Sequence, residues 1–168
     1  MREHLAWWTA LVLSLLCQTT LFPRLFPPAW APDLTRPLVL WAAVVGVPRG
    51  GALLAFAAGL GLDAASGAPP GFGAALRLSL YGLARPLRGL FFDDRPVLLF
   101  PLAALGALTD AFGAWVLSQL ALPVPLLASS VSSVSWRQAL VDLITVPVLF
   151  VFLEVATGRR SARRLVPR

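Results

Sequence analysis

The sequence predicts an all-α integral membrane protein with six transmembrane helices and both termini in the cytoplasm. Apolar residues make up 58% of the 168 residues, against about 45–50% in soluble domains. Charged residues make up only 13%, roughly half the usual share. A single core of this size cannot hide so much apolar surface from water, so the excess is expected to face lipid.

Six apolar stretches approach the length of about 20 residues that a membrane span needs. Proline ends the first stretch at Pro23 and the short second stretch at Pro48, and Pro86 is expected to kink the fourth. Pro147 lies inside the sixth stretch. The predicted spans are 5–22, 34–47, 50–65, 72–92, 96–122 and 136–157, which form one domain over 1–158, followed by a basic tail over 159–168.

Two segments of the sequence allow alternatives. The start of the chain is similar to a signal peptide, but the apolar run from Leu5 to Phe22 exceeds the roughly 7–15 residues of such a segment. We therefore expect an uncleaved first helix. The serine-rich segment 123–135 is too polar for a confident span. It either lies at the membrane interface or extends the sixth helix outward.

The arginines orient the six spans, and every basic residue of the chain is an arginine. Ten fall on the side of the termini and three on the opposite side, a bias that places the termini in the cytoplasm. The basic tail is then explained by topology and by attraction to anionic lipid, without a nucleic-acid partner. The ten are Arg2, Arg49, Arg85, Arg88, Arg95, Arg159, Arg160, Arg163, Arg164 and Arg168, and the three are Arg24, Arg36 and Arg137.

The residue inventory argues against catalysis and against bound metals or cofactors. The chain has one cysteine, Cys17, and one histidine, His4, which excludes Cys/His metal clusters and makes a Ser-His-Asp triad improbable. An intramembrane aspartyl peptidase is a third interpretation, since Asp63 and Asp110 lie within spans. These two positions differ by about 10 Å in depth, and two catalytic carboxylates must nearly touch. We therefore predict that the protein is not an enzyme.

The charged residues inside the predicted spans include Asp63, Arg77, Asp110 and Asp142, and each of these requires a partner or a wet cavity. Asp63 and Arg77 lie at similar depth in adjacent helices, which predicts an ion pair between them. Asp110 has no cation at matching depth, so we expect it to be protonated or hydrogen-bonded to a neighbour. Asp142 is expected to stay partly hydrated near the outer surface. The favoured role of all four is contact between helices; a proton or ion pathway and a partner or ligand contact are the alternatives.

Small residues at intervals of four precede Asp63, at Gly51, Ala55 and Gly59. Such a stripe lets membrane helices approach closely. Several short motifs occur in a particular order along the chain. They are Pro32-Asp33-Leu34, Arg49-Gly50, Gly59-Leu60-Gly61-Leu62-Asp63 and Gly67-Ala68-Pro69-Pro70-Gly71, followed by Asp110, Trp136, Pro147 and the basic tail.

In this order and spacing the chain resembles the rod shape-determining membrane protein MreD family over nearly its whole length. The extra Pro70 in the turn from Gly67 to Gly71 departs from that pattern. The resemblance implies a fold similar to that of the substrate-binding S-components of energy-coupling-factor transporters. The candidate partner-binding or structural residues are Pro32, Asp33, Arg49, Gly50, Gly59, Asp63, Gly67, Gly71, Arg77, Asp110 and Pro147.

The same resemblance implies a non-catalytic scaffold of the bacterial elongation machinery in the inner membrane. Its direct partner would be MreC, and MreB, RodA and a penicillin-binding transpeptidase would belong to the same assembly. Asp33, Arg49, Asp63 and Arg77 are the candidates for shaping the MreC-binding surface. The alternative is a solute-binding membrane subunit of a small-molecule transporter, with a pocket between helices that opens outward.

Overall fold

The protein is all-helical over the residues that its structure, a computed structural model, describes. These residues are 2–27, 30–46, 50–66, 69–88, 99–120 and 126–156. The prediction of an all-α fold is therefore confirmed, and no strand occurs within these ranges. The helices are α1 (Arg2–Leu16), α2 (Phe22–Leu25), α3 (Thr35–Trp41), α4 (Gly51–Ser66), α5 (Phe72–Ala84), α6 (Leu99–Leu120) and α7 (Leu126–Ala156).

Two π-helical segments extend the helices at the start of the chain. Cys17–Leu21 joins α1 to α2 without a break, and Ala42–Gly46 continues α3. The first helical stretch therefore ends at Leu25, and the predicted end at Pro23 is wrong. Pro23 lies inside this continuous helical stretch, directly after the π-helical segment.

Later helix ends also differ from the predicted bounds. The fourth span was expected to continue to residue 92, but α5 ends at Ala84 and a 3₁₀ turn over 85–88 follows. Pro86 lies in that turn, because it lacks the N–H that would continue the α-helical pattern. α7 begins at Leu126 and passes through Pro147. Of the two alternatives for the serine-rich segment, the helical extension holds for residues 126–135.

The short helix α3 lies at the centre of the fold. It contacts α1, α4, α5, α6 and α7, and every residue from Thr35 to Trp41 is buried. A helix that is apolar on all sides is expected to be enclosed by others, and the run from Pro37 to Val45 is of this kind. The Trp7 ring of α1 packs on the Trp41 ring with 3.9 Å between the ring centroids. The first turn of α3 is polar, and it positions the site described below.

The helices α4 and α5 form one of the two most extensive pairings, the other being α6 with α7. A side chain at Gly59 would overlap the backbone of Gly73 and Ala74. The small-residue stripe on α4 therefore lets the two backbones approach, as the sequence predicted. Gly71 adopts φ +93° just before α5, a left-handed conformation that favours glycine.

Apolar side chains also cover much of the outside of the molecule. Within the described residues, the stretch Leu5–Leu25 is long and apolar enough to cross a membrane, and only 17% of its most apolar window is buried. Most of this stretch is therefore exposed on the described fold, and it lies near the N-terminus, where a signal sequence has the same length and composition. Shorter apolar helices cover Thr35–Val45, Gly51–Ser66 and Leu99–Gly113. These observations support association with a membrane.

Two glycine variants test the close pairing of α4 and α5. Gly59→Ala should lower the free energy of unfolding by about 1–3 kcal/mol, because the added methyl group forces the two backbones apart. Gly82→Ala is the matched control, since a methyl group there meets nothing within 4 Å. It should leave stability unchanged or raise it by up to about 1 kcal/mol. Thermal unfolding in detergent measures both, and equal effects would contradict the close approach.

Candidate functional site

Five charged side chains meet inside the protein at the first turn of α3. We call them the ion network, and they come from four parts of the chain that are distant in sequence. Three carboxylates alternate with two guanidinium groups, so that each guanidinium group binds more than one carboxylate. The members are Asp33 and Arg36 at the start of α3, Arg77 on α5, Asp110 on α6 and Asp142 on α7.

Arg36 binds all three carboxylates of the ion network. Its Nη1 atom pairs with Asp142, and its Nη2 atom pairs with Asp110. Its Nε atom lies 3.3 Å from Oδ2 of Asp33, a distance suited to an ion pair, although the N–H is not aligned for a hydrogen bond. One side chain therefore fastens α3 to both α6 and α7.

Arg77 uses all three of its guanidinium nitrogens within the same site. Nη2 pairs with Asp33, and Nη1 lies 3.0 Å from Oδ1 of Asp110. Nε donates to the hydroxyl oxygen of Thr35 over 3.2 Å. The planar fork of arginine suits such contacts to several acceptors, and here it joins α5 to α3 and α6.

Asp33 has the most complete set of partners in the ion network. Its Oδ1 atom accepts hydrogen bonds from the N–H of Thr35, from the Thr35 hydroxyl and from the Gln18 side-chain amide, over 2.9, 2.7 and 2.8 Å. Burial disfavours the charge, but Arg77 and Arg36 together with these hydrogen bonds hold the pKa of Asp33 well below its usual range. Through Gln18, the first helical stretch is also tied to the site.

The ion network lies almost entirely out of contact with solvent. The side chains of Arg36 and Arg77 are 8% and 6% exposed, and that of Asp142 is 1% exposed, whereas that of Asp110 is 23% exposed. Two positive and three negative groups give a formal charge of −1 if every carboxylate is ionised. Buried charges are tolerated when they are paired, and the pairing here is extensive.

The structure contradicts three expectations about these charges. Arg77 does not pair with Asp63, because its nitrogens are bound to Asp33, Asp110 and Thr35. Asp110 has two cationic partners rather than none. Asp142 is buried rather than hydrated, and it pairs with Arg36. The geometry agrees with the favoured role of these charged residues, which is contact between helices. Their partners, however, differ from those expected.

Asp63 lies outside the ion network and serves the turn between α4 and α5. Its two carboxylate oxygens accept hydrogen bonds from the backbone N–H groups of Gly71 and Gly73, over 2.9 and 2.7 Å. These N–H groups lie at the start of α5, where the helix itself offers no acceptor and a negative charge is stabilising. Gly73 also leaves room for this carboxylate, because a side chain there would lie 2.5 Å from Oδ1.

The remaining predicted residues have separate positions. The Gly50 carbonyl accepts the Leu54 N–H at the start of α4, Gly59 allows α4 to approach α5, and Pro147 lies within α7. Pro32 is partly buried next to Asp33. Arg49, Gly67 and the basic tail lie outside the described residues. Asp33, Asp63 and Arg77 are buried, so these three are placed to hold the fold rather than to contact a partner.

Sequence reasoning missed three members of the site. Arg36 was assigned to the residues outside the membrane, and neither Gln18 nor Thr35 was considered. A signal for Arg36 was present, because it follows Asp33 by three residues at the start of an apolar helix, where the two side chains share one face. Nothing in the sequence pointed to Gln18, which reaches Asp33 from the preceding helical stretch.

The arrangement is suited to holding helices together. Arginines bind Asp33, Asp110 and Asp142, whereas backbone amides bind Asp63. Asp63 and Asp110 are thus engaged with different partners. Within the described residues, no group of three or more His, Cys, Asp or Glu could hold a metal ion.

Removing Arg36 should be far more damaging than removing an exposed arginine. Arg36→Gln leaves three buried carboxylates with one cation, and losing one partner of a buried ion pair costs about 3–5 kcal/mol. Arg24→Gln is the control, since Arg24 is exposed at the end of α2 and should change stability by less than about 1 kcal/mol. Chemical or thermal unfolding in detergent measures both. Similar stabilities would contradict the role given to Arg36.

The low pKa of Asp33 predicts a loss of stability in acid. A carboxyl group with a lowered folded-state pKa stabilises the fold above its unfolded-state value, about 3.8, and this stabilisation is lost as the pH falls below that value. Asp33→Asn should therefore be less stable at neutral pH, and its unfolding temperature should fall less than that of the wild type between about pH 5 and pH 2. Parallel pH curves would contradict the prediction.

Comparison with known proteins leaves the function to be inferred from this chain. No protein-family model matches it. No curated protein and no solved structure matches it either. The contacts of the ion network and the motifs of the sequence are therefore the basis for the proposal that follows.

Proposed function

We propose that this protein is a non-catalytic scaffold of the bacterial cell-elongation machinery that spans the inner membrane and binds MreC. The observation that carries the proposal is the use of the buried charges. Ion pairs between its two arginines and three aspartates connect all five side chains of the ion network. They thereby tie α3 to α5, α6 and α7. Such an interior stabilises one arrangement of helices, which is what a scaffold needs.

Six spans remain the proposed topology. One objection to it is that the second span is short, and the central position of α3 answers this objection. The helical segment Thr35–Gly46 is only about 18 Å long at 1.5 Å per residue, short of the roughly 30 Å of a bilayer core. Because neighbouring helices surround α3, the segment does not have to match the lipid by itself. The positive-inside bias of the arginines supports the proposal that both termini lie in the cytoplasm.

The outer surface also supports a position in lipid. Large apolar side chains are exposed along α1, α6 and α7, with exposures of up to 69% for Ile144. Soluble monomers rarely expose apolar surface on this scale. The proposed MreC helix would bind part of this surface, and the motifs shared with the MreD family point to MreC as the partner. MreB, RodA and a penicillin-binding transpeptidase are the proposed members of the same assembly.

A solute-binding subunit is the alternative function. It would need polar groups that converge on a cavity, whereas the polar groups of the ion network converge on one another. Retention of a small molecule through purification would favour this alternative over the scaffold.

Copurification tests the proposed partner. The tagged protein, produced at native levels and extracted in mild detergent, should bring MreC with it. The Arg24→Gln variant should retain MreC, whereas Arg36→Gln should lose MreC together with the folded structure. Deletion of the gene should turn rod-shaped cells into rounded ones. Repeated absence of MreC from the folded wild-type protein, or rod-shaped cells after deletion, would overturn the proposal.

A further inference from the structure

The ion network contains one carboxyl group more than it has guanidinium groups. Arg36 and Arg77 face Asp33, Asp110 and Asp142, and the side-chain exposure of these five residues is between 1% and 23%. Full ionisation would leave one uncompensated negative charge inside the protein. A buried charge without a counter-charge is strongly unfavourable, and such groups become neutral instead.

Within the described residues, one oxygen atom of the ion network has no partner for the excess negative charge. Oδ1 of Asp142 is buried and has no hydrogen-bond partner among the described residues, while Oδ2 of the same carboxyl group binds Arg36. An ionised carboxylate in this position would leave a charged oxygen atom without a donor. A neutral carboxyl group is the form that such a place accommodates best.

We propose that the ion network binds one proton, and that Asp142 holds it at Oδ1. Arg36 binds Oδ2 of Asp142 and one oxygen of Asp110, and Arg77 binds the other oxygen of Asp110. Oδ1 of Asp142 is the oxygen of the ion network that has no partner among the described residues. The proton is therefore assigned to this atom. With it, the ion network is electrically neutral.

Asp33 is the member that stays ionised. Three hydrogen bonds reach its Oδ1 atom, and both arginines contact its Oδ2 atom. This set of donors favours the carboxylate form. The charged groups that face Asp142 are therefore Arg36 and Asp33 from the start of α3, Asp110 from α6 and, beyond them, Arg77 from α5.

A proton fits this place better than a metal cation. No cluster of metal-ligating side chains occurs within the described part of the chain, and hard cations such as Ca²⁺ require six or more oxygen ligands. The arginines already bind Oδ2 of Asp142 and both oxygens of Asp110. One free carboxylate oxygen remains, which suffices for a proton and not for a coordination shell.

Infrared spectroscopy of the purified full-length protein in nanodiscs tests the proposal directly. At pH 5, where ordinary aspartates are ionised, the wild type should show the C=O stretching band of a protonated carboxyl group. This band should disappear in Asp142→Asn, because asparagine replaces the neutral acid without a proton. Asp63→Asn, a change outside the ion network, should retain the band.

Two outcomes of this experiment would overturn the proposal. One is the absence of the band from the wild type at pH 5, a result that depends on no variant. The other is its persistence in Asp142→Asn, which would assign the proton to another carboxyl group. Circular dichroism and size-exclusion chromatography establish that each variant is folded before its spectrum is compared.

The dependence of stability on pH provides a second measurement. A proton held more tightly in the folded state stabilises the fold at low pH, and that stabilisation is lost as the pH rises. The unfolding temperature of the wild type should therefore fall between about pH 4 and pH 7, whereas that of Asp142→Asn should fall less. The same pH dependence in the wild type and in Asp142→Asn over this range would also overturn the proposal.

Discussion

The contact of Arg36 with three carboxylates is the interaction on which the rest of the fold depends. Asp33, Asp110 and Asp142 come from the start of α3, from α6 and from α7, and one guanidinium group lies between them. None of these charges could be buried alone, since the penalty for each unpaired ion is several kcal/mol. The helices must therefore assemble in an arrangement that brings all the charged partners together. Arg77 adds α5 to the same arrangement.

The two ends of α3 have different roles in this assembly. Its first turn carries the charges, whereas the following residues, from Leu38 to Val44, are buried and apolar. A short helix of this kind is unsuited to face lipid along its whole length, and its neighbours enclose it on all sides. The paired helices α4 and α5 rely on a different device, the close backbone contact at Gly59, and Asp63 binds the start of α5. Specific pairing in the interior is thus combined with an apolar exterior.

The residues that matter were easier to predict than their contacts. Their positions within the predicted spans singled out Asp63, Arg77, Asp110 and Asp142. The structure buries three of them and partly buries Asp110, although Asp142 was expected to stay hydrated. The same reasoning paired Asp63 with Arg77, because the two residues lie at similar depth in adjacent helices, on either side of the same loop. Depth fixes only one coordinate of a side chain, and the direction in which it points around the helix axis is equally important. Arg77 points toward α3 and α6, whereas Asp63 points toward the amides of Gly71 and Gly73.

The sequence by itself determined the helical fold class, the small-residue stripe by which α4 can approach a neighbouring helix, and the set of charges that require partners. Composition and spacing suffice for these features, because they depend on local periodicity and on the penalty for unpaired charge in an apolar setting. Only the tertiary structure decided that α3 is the central helix and that Arg36, which the sequence placed outside, lies at the centre of the charges. Asp33 and Asp142 lie 109 positions apart in the chain, and only helix packing brings both to one guanidinium group.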